Sequence, residues 1–412
     1  MIERTELGSG LRVITESLPQ LRSVTLGAWV GTGARDEVDE VAGASHFLEH
    51  LLFKGTETRS ARDIADTIES VGGEMNAFTS HEHTVFYVRV PDSQLELAAD
   101  VLSDIVWRPA FRPDEVETER QVILEEIAMR DDTPDDLVHD VFASTLFPEH
   151  QLGREVIGFE ETVSSMTRDS VRGYHGSHYH AANTVFAAAG NLEHATVRDL
   201  ADRFGPSTNG ARPARELAPF TRPLPVRVVE RDTEQAHLVL GVRASAHRDP
   251  DRYALTVLNH VLGGGMSSRL FQEIRESRGL AYSVYSFRAA FDDSGYLAIY
   301  AGTTVDRAKE TLALIHGEID GIVRDGTITD DELRAAKGNL TGSLLMSLET
   351  SSSRMRRLGH GELVEGEIPT LEELARRVEE VTLDDVGRVV DRLFRDEPRA
   401  LAVVGPFSES DF

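Results

Sequence analysis

Hydrophobic and polar positions alternate in two runs near the start of the chain, at residues 11–16 and 23–31. Both runs are rich in β-branched residues, so the pattern predicts two strands. The same alternation predicts further strands at residues 74–80, 84–90 and 184–190. Between the strands, apolar residues recur at the spacing of one helix face. This spacing predicts helices at about residues 42–54, 61–71, 92–106, 113–130 and 167–179.

A segment at residues 206–225 lacks periodicity and is rich in proline and other turn-forming residues, which favours a linker. The sequence after it repeats features of the sequence before it at an offset of about 213–215 residues. The matches are Leu26-Gly27 with Leu240-Gly241, Arg35-Asp36 with Arg248-Asp249, and a strand end at Gly190 with another at Gly405. A constant offset indicates an internal duplication. We therefore predict an α+β protein of two homologous domains, each a β-sheet flanked by helices, at residues 1–205 and 226–412.

The composition narrows the classes of function. A chain of 412 residues with 40% hydrophobic content is long enough for two cores, and the net charge of -27 argues against a nucleic-acid partner. That charge is compatible with a basic or extended peptide ligand, and equally with acidic composition for solubility. Without cysteine there is neither a disulfide framework nor a thiolate metal site. No apolar run has membrane-spanning length and the N-terminus lacks a signal-peptide layout, so we expect a cytoplasmic protein.

The helix predicted at residues 42–54 contains the run His46-Phe47-Leu48-Glu49-His50. Histidines four residues apart project from one face of a helix, which is the spacing with which two imidazoles hold one metal ion. Glu49 lies beside His50 and can take a proton from water without acting as a ligand. This order is the inverted form of the more common zinc-peptidase helix.

An ordinary amphipathic helix with two solvated or capped histidines is the alternative interpretation of this run. Most of the helix surface is apolar, however, through Phe47, Leu48, Leu51, Leu52 and Phe53. Burying two imidazoles and a carboxylate among such residues is costly unless these groups have partners. A metal ion supplies a partner, which favours the metal-site hypothesis.

The helix predicted at residues 113–130 offers a third metal ligand. Glu119 and Glu126 are seven residues apart and share one face, whereas Glu125 points elsewhere. A carboxylate on that face could complete a His-His-Glu site and leave a fourth position for water. A solvated acidic stripe on the helix surface is the alternative.

In the second half, a glycine-rich turn at residues 263–270 leads into a helix. It lacks the Gly-Lys-Ser/Thr ending of a phosphate-binding loop, so it is a weak candidate for a phosphate site. Arg275 and Tyr282 flank the next turn. A guanidinium and a phenol hydroxyl there could hold a peptide carbonyl or a developing oxyanion. Ordinary packing at a helix end is the alternative.

The sequence closely resembles the pitrilysin/insulinase family of zinc peptidases, in its branch of short chains similar to the mitochondrial processing peptidase. The resemblance covers nearly the whole chain. It rests on the inverted motif with Phe53-Lys54-Gly55-Thr56, on residues 74–80 and 119–126, on Leu152-Gly153-Arg154, on Ser268-Arg269-Leu270-Phe271, and on Arg275 and Tyr282. The residues that the family pattern requires are all present.

This resemblance implies a role for each candidate residue in the first domain. The ligands of one zinc ion per chain would be His46, His50 and Glu126. Glu49 would be the general base, and Glu119 a supporting carboxylate near the site.

The resemblance also implies a way of binding peptide. Arg275 and Tyr282 would hold a substrate carbonyl, and residues 74–80 would form an edge strand onto which an extended peptide adds. The substrate-binding residues of that strand would be Asn76, Ala77 and Phe78.

Together these expectations describe a zinc-dependent endopeptidase that hydrolyses peptides or unfolded segments. The alternative is a non-catalytic subunit that binds peptides or serves as the scaffold of a larger complex. Larger members of the family carry four such domains in one chain and this chain has two, so the resemblance implies a homodimer with composite active sites. We expect peptides as partners, and neither nucleic acid nor a membrane.

Overall fold

The computed structural model describes residues 1–206, 211–215 and 217–412. The chain divides into two compact units that do not follow sequence order. The first unit contains Met1–Ala128, Glu155–Glu216 and Ser347–Ile368. The second unit contains Met129–Arg154, Leu217–Met346 and Pro369–Phe412. Each unit therefore includes one segment from the other half of the chain. The domain limits at residues 1–205, 206–225 and 226–412 remain a prediction.

The first unit contains a six-stranded sheet. Its strands are β1 (Ile2–Glu6), β2 (Arg12–Ser17), β3 (Ser23–Val30), β4 (Glu74–Thr79), β5 (Thr84–Pro91) and β6 (Thr184–Gly190). Their order across the sheet is β1-β2-β6-β3-β5-β4, with β2 and β6 parallel and the other neighbours antiparallel. Alternation predicted every strand except β1, which is short, charged and largely exposed. β4 is an edge strand, so one side of its backbone pairs with no strand of the described residues.

Helices cover one face of this sheet. The first half of the chain contains α1 (Ala44–Leu52), α2 (Ala61–Glu69), α3 (Leu95–Trp107), α4 (Pro113–Asp131), α5 (Pro134–Leu146), α6 (Glu160–Ser165), α7 (Arg168–His178) and α8 (His194–Phe204). On α1, Phe47, Leu48 and Leu52 are fully buried in a core shared with Leu26 and Phe86 of the sheet. The buried face of α1 leaves its histidines at the edge of this core.

The second unit repeats this topology. Its strands are β7 (Val226–Glu230), β8 (Gln235–Ala244), β9 (Ala281–Ala290), β10 (Gly295–Thr304) and β11 (Ala400–Gly405), in the order β7-β11-β8-β10-β9. The parallel pair β7 and β11 corresponds to β2 and β6. The helices of this half are α9 (Arg252–Gly263), α10 (Ala308–Asp325), α11 (Asp330–Ser347), α12 (Ser351–His360), α13 (Leu371–Glu379) and α14 (Leu383–Val390). The predicted α+β fold with two homologous domains is confirmed.

The opposite face of each sheet is covered by a helix from the other half of the sequence. In the first unit, Met355 and Leu358 of α12 are buried against Trp29 and its neighbours. In the second unit, Phe142 of α5 is buried against Val239 and its neighbours. Neither helix is among those predicted from the sequence. Within the described residues, no helix combines the length and the apolar character needed to cross a membrane.

The repeated Leu-Gly pair has a packing role in both units. A Cβ at Gly27 would lie 2.4 Å from Sδ of Met355 on α12. A Cβ at Gly241, the matching position, would lie 2.6 Å from Cζ of Phe142 on α5. A side chain at either position would force the contacting side chain of the covering helix to move. The two glycines therefore admit the covering helix at equivalent points of the two sheets.

Cutting the chain in the linker should not separate the two halves. Each unit keeps a helix that the cut assigns to the other fragment, and α5 alone buries Leu137, Val138, Val141, Phe142 and Leu146. Burial of each such side chain contributes about 1.5–3 kcal/mol. With a specific protease site inserted within residues 206–225, we expect the two fragments to co-elute on native size-exclusion chromatography and to separate in denaturant. Separation under native conditions would contradict the exchange of helices.

Candidate metal centre

The N-terminus of α1 is held by a buried carboxylate. Glu37 accepts hydrogen bonds from the backbone N–H of Gly43 and of Ser45, each at 2.7 Å. A negative charge is favourable there because the free N–H groups carry the positive end of the helix dipole. Gly43 has φ of 95°, and a Cβ at this position would lie 2.7 Å from the carbonyl oxygen of Ile157. Glycine is therefore required where the chain enters the helix.

The loop that contains Glu37 is also attached to the turn between β4 and β5. The backbone N–H of Ala34 donates to the carbonyl of Ser80 at 3.1 Å, and that of Arg35 donates to the carbonyl of His81 at 2.7 Å. The guanidinium of Arg35 lies 2.7 Å from the carboxylate of Glu82, and both side chains are buried. One loop, residues 33–37, thus sets the position of α1 relative to β4.

The side chains of His46, His50 and Glu126 form a group in which one ligand atom of each lies within 4.8 Å of the others. Oε2 of Glu126 is 3.8 Å from Nε2 of His46 and 3.6 Å from Nε2 of His50. Ligand atoms of a tetrahedral zinc ion are about 3.4 Å apart, given bonds of about 2.0–2.1 Å. The three side chains therefore need only small movements to share one ion.

The chemistry of this donor set fits zinc. Burial, and then the charge of His50, lowers the pKa of His46 from 6.5 to about 4, so this imidazole is neutral near pH 7 and keeps a lone pair for a metal. Two imidazoles and one carboxylate are the ligand types of zinc sites that keep a position open for water. Among the described residues, this is the only group of three or more such side chains close enough to hold an ion.

Glu119 is placed behind His50. It is almost fully buried, with 3% of its side chain exposed, whereas 38% of Glu126 is exposed. Oε2 of Glu119 lies 3.2 Å from Nδ1 of His50, and Oε1 lies 2.7 Å from Nζ of Lys54. A carboxylate on the second ring nitrogen of a histidine selects the tautomer that presents Nε2 to a metal. His46 has no such contact, because its Nδ1 is buried without a hydrogen-bond partner among the described residues.

Glu49 lies between the metal group and β4. The hydroxyl of Thr79 donates a hydrogen bond of 2.7 Å to Oε2 of Glu49. Burial raises the pKa of Glu49 above its usual value, and the hydrogen bond from Thr79 acts in the opposite direction. A carboxylate with a raised pKa, held near the metal group but outside it, is suited to accept and return a proton.

Two of the three predicted substrate-binding residues of β4 lie on different faces of the strand. Ala77 packs against the core that contains α1. Phe78 packs on the other face, with its ring 5.9 Å from that of Trp29 and 5.5 Å from the guanidinium of Arg356. Asn76 is exposed, and its side chain accepts from the N–H of Ala77 at 2.8 Å. The side chain of Phe78 is thus partly buried on the face of the sheet that carries Trp29.

Arg275 and Tyr282 belong to the second unit. The guanidinium of Arg275 lies 4.8 Å from the ring centres of both Phe271 and Tyr282, which is the distance of a cation–π contact. The ring of Tyr282 is 84% exposed at the start of the edge strand β9. The structure therefore places the two side chains next to each other, with the tyrosine open to solvent.

Glu37, Lys54 and Thr79 contribute to the site but are not among the residues predicted for it from the sequence. A signal existed for Thr79, which belongs to the strand expected to bind peptide. Lys54 follows His50 by four residues, and the helix predicted at residues 42–54 would place both on one face, although α1 ends at Leu52. Glu37 precedes its helix by too many residues to match a capping motif, and only the folded loop brings it to the helix end.

Replacing Glu119 with glutamine should weaken zinc binding by about 10–100-fold, the usual effect of removing a carboxylate that orients a histidine ligand. Titration of the metal-free protein against a chromogenic chelator measures this change. Glu125→Gln is the matched control, because Glu125 is exposed on the same helix and outside the metal group. Equal zinc affinity in the two variants would show that Glu119 does not orient His50.

The chain is similar over nearly its whole length to bacterial proteins named uncharacterized zinc protease. A protein from Streptomyces coelicolor is 45% identical over 416 residues, which cover 99% of this chain and 90% of that protein. One from Mycobacterium tuberculosis is 47% identical over 408 residues, covering 98% and 93%. One from Bacillus subtilis is 41% identical over 412 residues, covering 98% of each.

Two solved structures share the fold over their full length. A protease from Helicobacter pylori has a TM-score of 0.92 at 24% identity, covering 98% of this chain and 99% of that one. A chain from Pseudomonas fluorescens, described as a peptidase M16 inactive domain, has a TM-score of 0.90 at 22% identity, covering 99% and 98%.

Family models match both halves of the chain. The model described as insulinase, peptidase family M16, matches residues 12–160, which include the whole metal group. The model described as the peptidase M16 inactive domain matches residues 165–340, which include Arg275 and Tyr282. With zinc-protease relatives above 40% identity over nearly all its residues, the chain belongs to the M16 insulinase family of peptidases.

Proposed function

We propose that this chain is a zinc-dependent endopeptidase that cuts extended peptides or unfolded segments. The observation that carries the proposal is the convergence of two imidazoles and a carboxylate beside a separate glutamate. In this proposal His46, His50 and Glu126 hold one zinc ion per chain, and Glu49 stays outside the ligand set. A purely structural site would close the fourth position with another side chain.

Each catalytic role follows from where its group lies. When bound, zinc supplies a Lewis acid for the scissile carbonyl and for the attacking water. Glu49 takes the proton of the water and returns it to the leaving nitrogen, which its raised pKa favours. Glu119 fixes the ring of His50 and, through Lys54, is itself neutralised.

The substrate side of the proposal rests on β4 and on the second unit. As an edge strand, β4 can pair its free backbone with an extended peptide, which favours unfolded segments over folded proteins. Arg275 and Tyr282 would donate hydrogen bonds to a substrate carbonyl. A processing role and a cytoplasmic location remain predictions from the sequence.

Glu49→Gln separates catalysis from metal binding. We expect this variant to keep one zinc per chain while peptide hydrolysis falls by at least about 100-fold, because the amide accepts no proton. His50→Ala should lose both the zinc and the activity. Metal analysis and cleavage of a mixed peptide library provide the two readouts. If Glu49→Gln turned over peptide within a few fold of the unmodified protein, Glu49 would not be the general base. If the unmodified protein held no zinc and cleaved no peptide, a peptide-binding subunit would be favoured.

We also propose a homodimer with composite active sites, in which Glu49 of one chain works with Arg275 and Tyr282 of its partner. These residues lie in different compact units of the chain. Closed assemblies of two identical chains with two-fold symmetry are the most common oligomers.

Mixing two inactive variants tests this arrangement. Glu49→Gln chains refolded together with Arg275→Ala/Tyr282→Phe chains should regain activity, because a mixed dimer would contain one site with both defects and one intact site. Each variant refolded alone is the control. If every site used residues of a single chain, the mixture would stay as inactive as the controls.

A further inference from the structure

We propose that Thr79 is a positioning residue that holds one oxygen of Glu49 and so keeps this carboxylate out of the fourth metal position. This inference rests on the proposed function, and it assigns a role to a residue outside the metal group and its supporting carboxylate. It also connects the general base to the strand expected to bind the peptide.

The contact itself is direct and specific. The hydroxyl of Thr79 lies 2.7 Å from Oε2 of Glu49 in a partly buried position. The backbone N–H of Thr79 also interacts with this carboxylate. The carboxylate of Glu49 is therefore restrained by the end of β4, and the hydroxyl of Thr79 supplies the side-chain part of that restraint.

The hydroxyl is held in place by more than its own side chain. Thr79 is the last residue of β4 and pairs with Thr84 of β5. In the turn that follows, the N–H of Ser80 donates to the carbonyl of His83 at 2.9 Å, and the hydroxyl of Ser80 accepts from the N–H of His83 at 3.1 Å. The loop at residues 33–37 binds this turn and the start of α1 alike. Both ends of the Thr79–Glu49 contact are thus attached to one scaffold.

A glutamate in this position needs such a restraint. Glu49 precedes His50 directly and is close enough to Glu126 for their charges to interact. Carboxylate oxygens are ordinary zinc ligands, and a fourth protein ligand closes the coordination position that a catalytic site leaves for water. The hydrogen bond from Thr79 favours the side-chain conformation in which Glu49 stays beside the metal group.

Thr79→Val removes the hydroxyl and keeps the shape of the side chain. We expect kcat to fall by about 10–100-fold, the usual effect of losing a group that orients a catalytic residue, with KM within about twofold. Thr79→Ser, which restores a hydroxyl, should recover kcat to within about threefold. Thr67→Val is the matched control, because the hydroxyl of Thr67 donates to the carbonyl of Asp63 in its own helix and lies outside the metal group.

A second readout does not depend on activity. The visible spectrum of cobalt(II) in place of zinc reports the number and type of its ligands. Thr79→Val should change this spectrum, because the released carboxylate of Glu49 enters the ligand set, whereas Thr79→Ser should not. In a Glu49→Gln background, the Thr79→Val change should have no further effect on the spectrum.

The outcomes are distinct. A chain that cleaves no peptide would end the proposed function, and the cobalt spectra alone would then decide whether Thr79 restrains Glu49. An unchanged cobalt spectrum in Thr79→Val would overturn the inference. The same spectral change on adding Thr79→Val to the Glu49→Gln variant would also overturn it. So would a loss carried by KM at full kcat, because Thr79 would then act on the peptide strand and not on Glu49.

Discussion

The loop at residues 33–37 is the constraint on which the candidate site depends. It supplies the carboxylate that holds the start of α1, and it holds the turn after β4 through backbone hydrogen bonds and the buried Arg35–Glu82 pair. A Cβ at Gly33 would lie 2.2 Å from the carbonyl oxygen of Ser80, so the loop and the turn are in contact along their backbones. A shift in this loop would move the histidines and the peptide strand at the same time.

Charge balance gives the site a reason to bind a divalent cation. Glu49, Glu119 and Glu126 bring three carboxylates together, and Lys54 contacts one of them. A doubly charged ion and the ammonium group of Lys54 would balance these three negative charges. Without an ion, the excess negative charge would remain in a partly buried place where water screens it poorly. A bound metal ion would therefore offset the electrostatic repulsion among the three carboxylates.

Local pattern predicted β2 to β6 and the helices α1 to α4 and α7 of the first half, because strands and helices with one buried face carry their period in the sequence. The helix α5 was missed although Pro134 and two following acidic residues are a helix-start signal. The composition of residues 206–225 predicts a linker, and within that segment Arg215 pairs with Asp36 at 2.7 Å. Long-range ion pairs of this kind leave no periodic signal, so only the folded chain shows them.

The candidate site was predictable up to the choice between two carboxylates. Helical spacing places Glu119 and Glu126 on one face of α4. It does not show which carboxylate lies near Nε2 of both histidines and which lies behind His50. The choice depends on depth, since Glu119 is buried behind His50 and Glu126 lies at the more open end. How deeply each carboxylate is buried depends on the packing of α4, and residue spacing does not predict that packing.

The exchange of covering helices also makes each half of the chain depend on the other. A polypeptide with a single copy of the repeat would have one sheet with an uncovered apolar face, open at the glycine that corresponds to Gly27 or Gly241. It would also have one amphipathic helix with no sheet of its own to cover. Two identical copies satisfy both requirements by trading helices. Neither half of this chain would therefore bury its sheet and its helix completely without the other half.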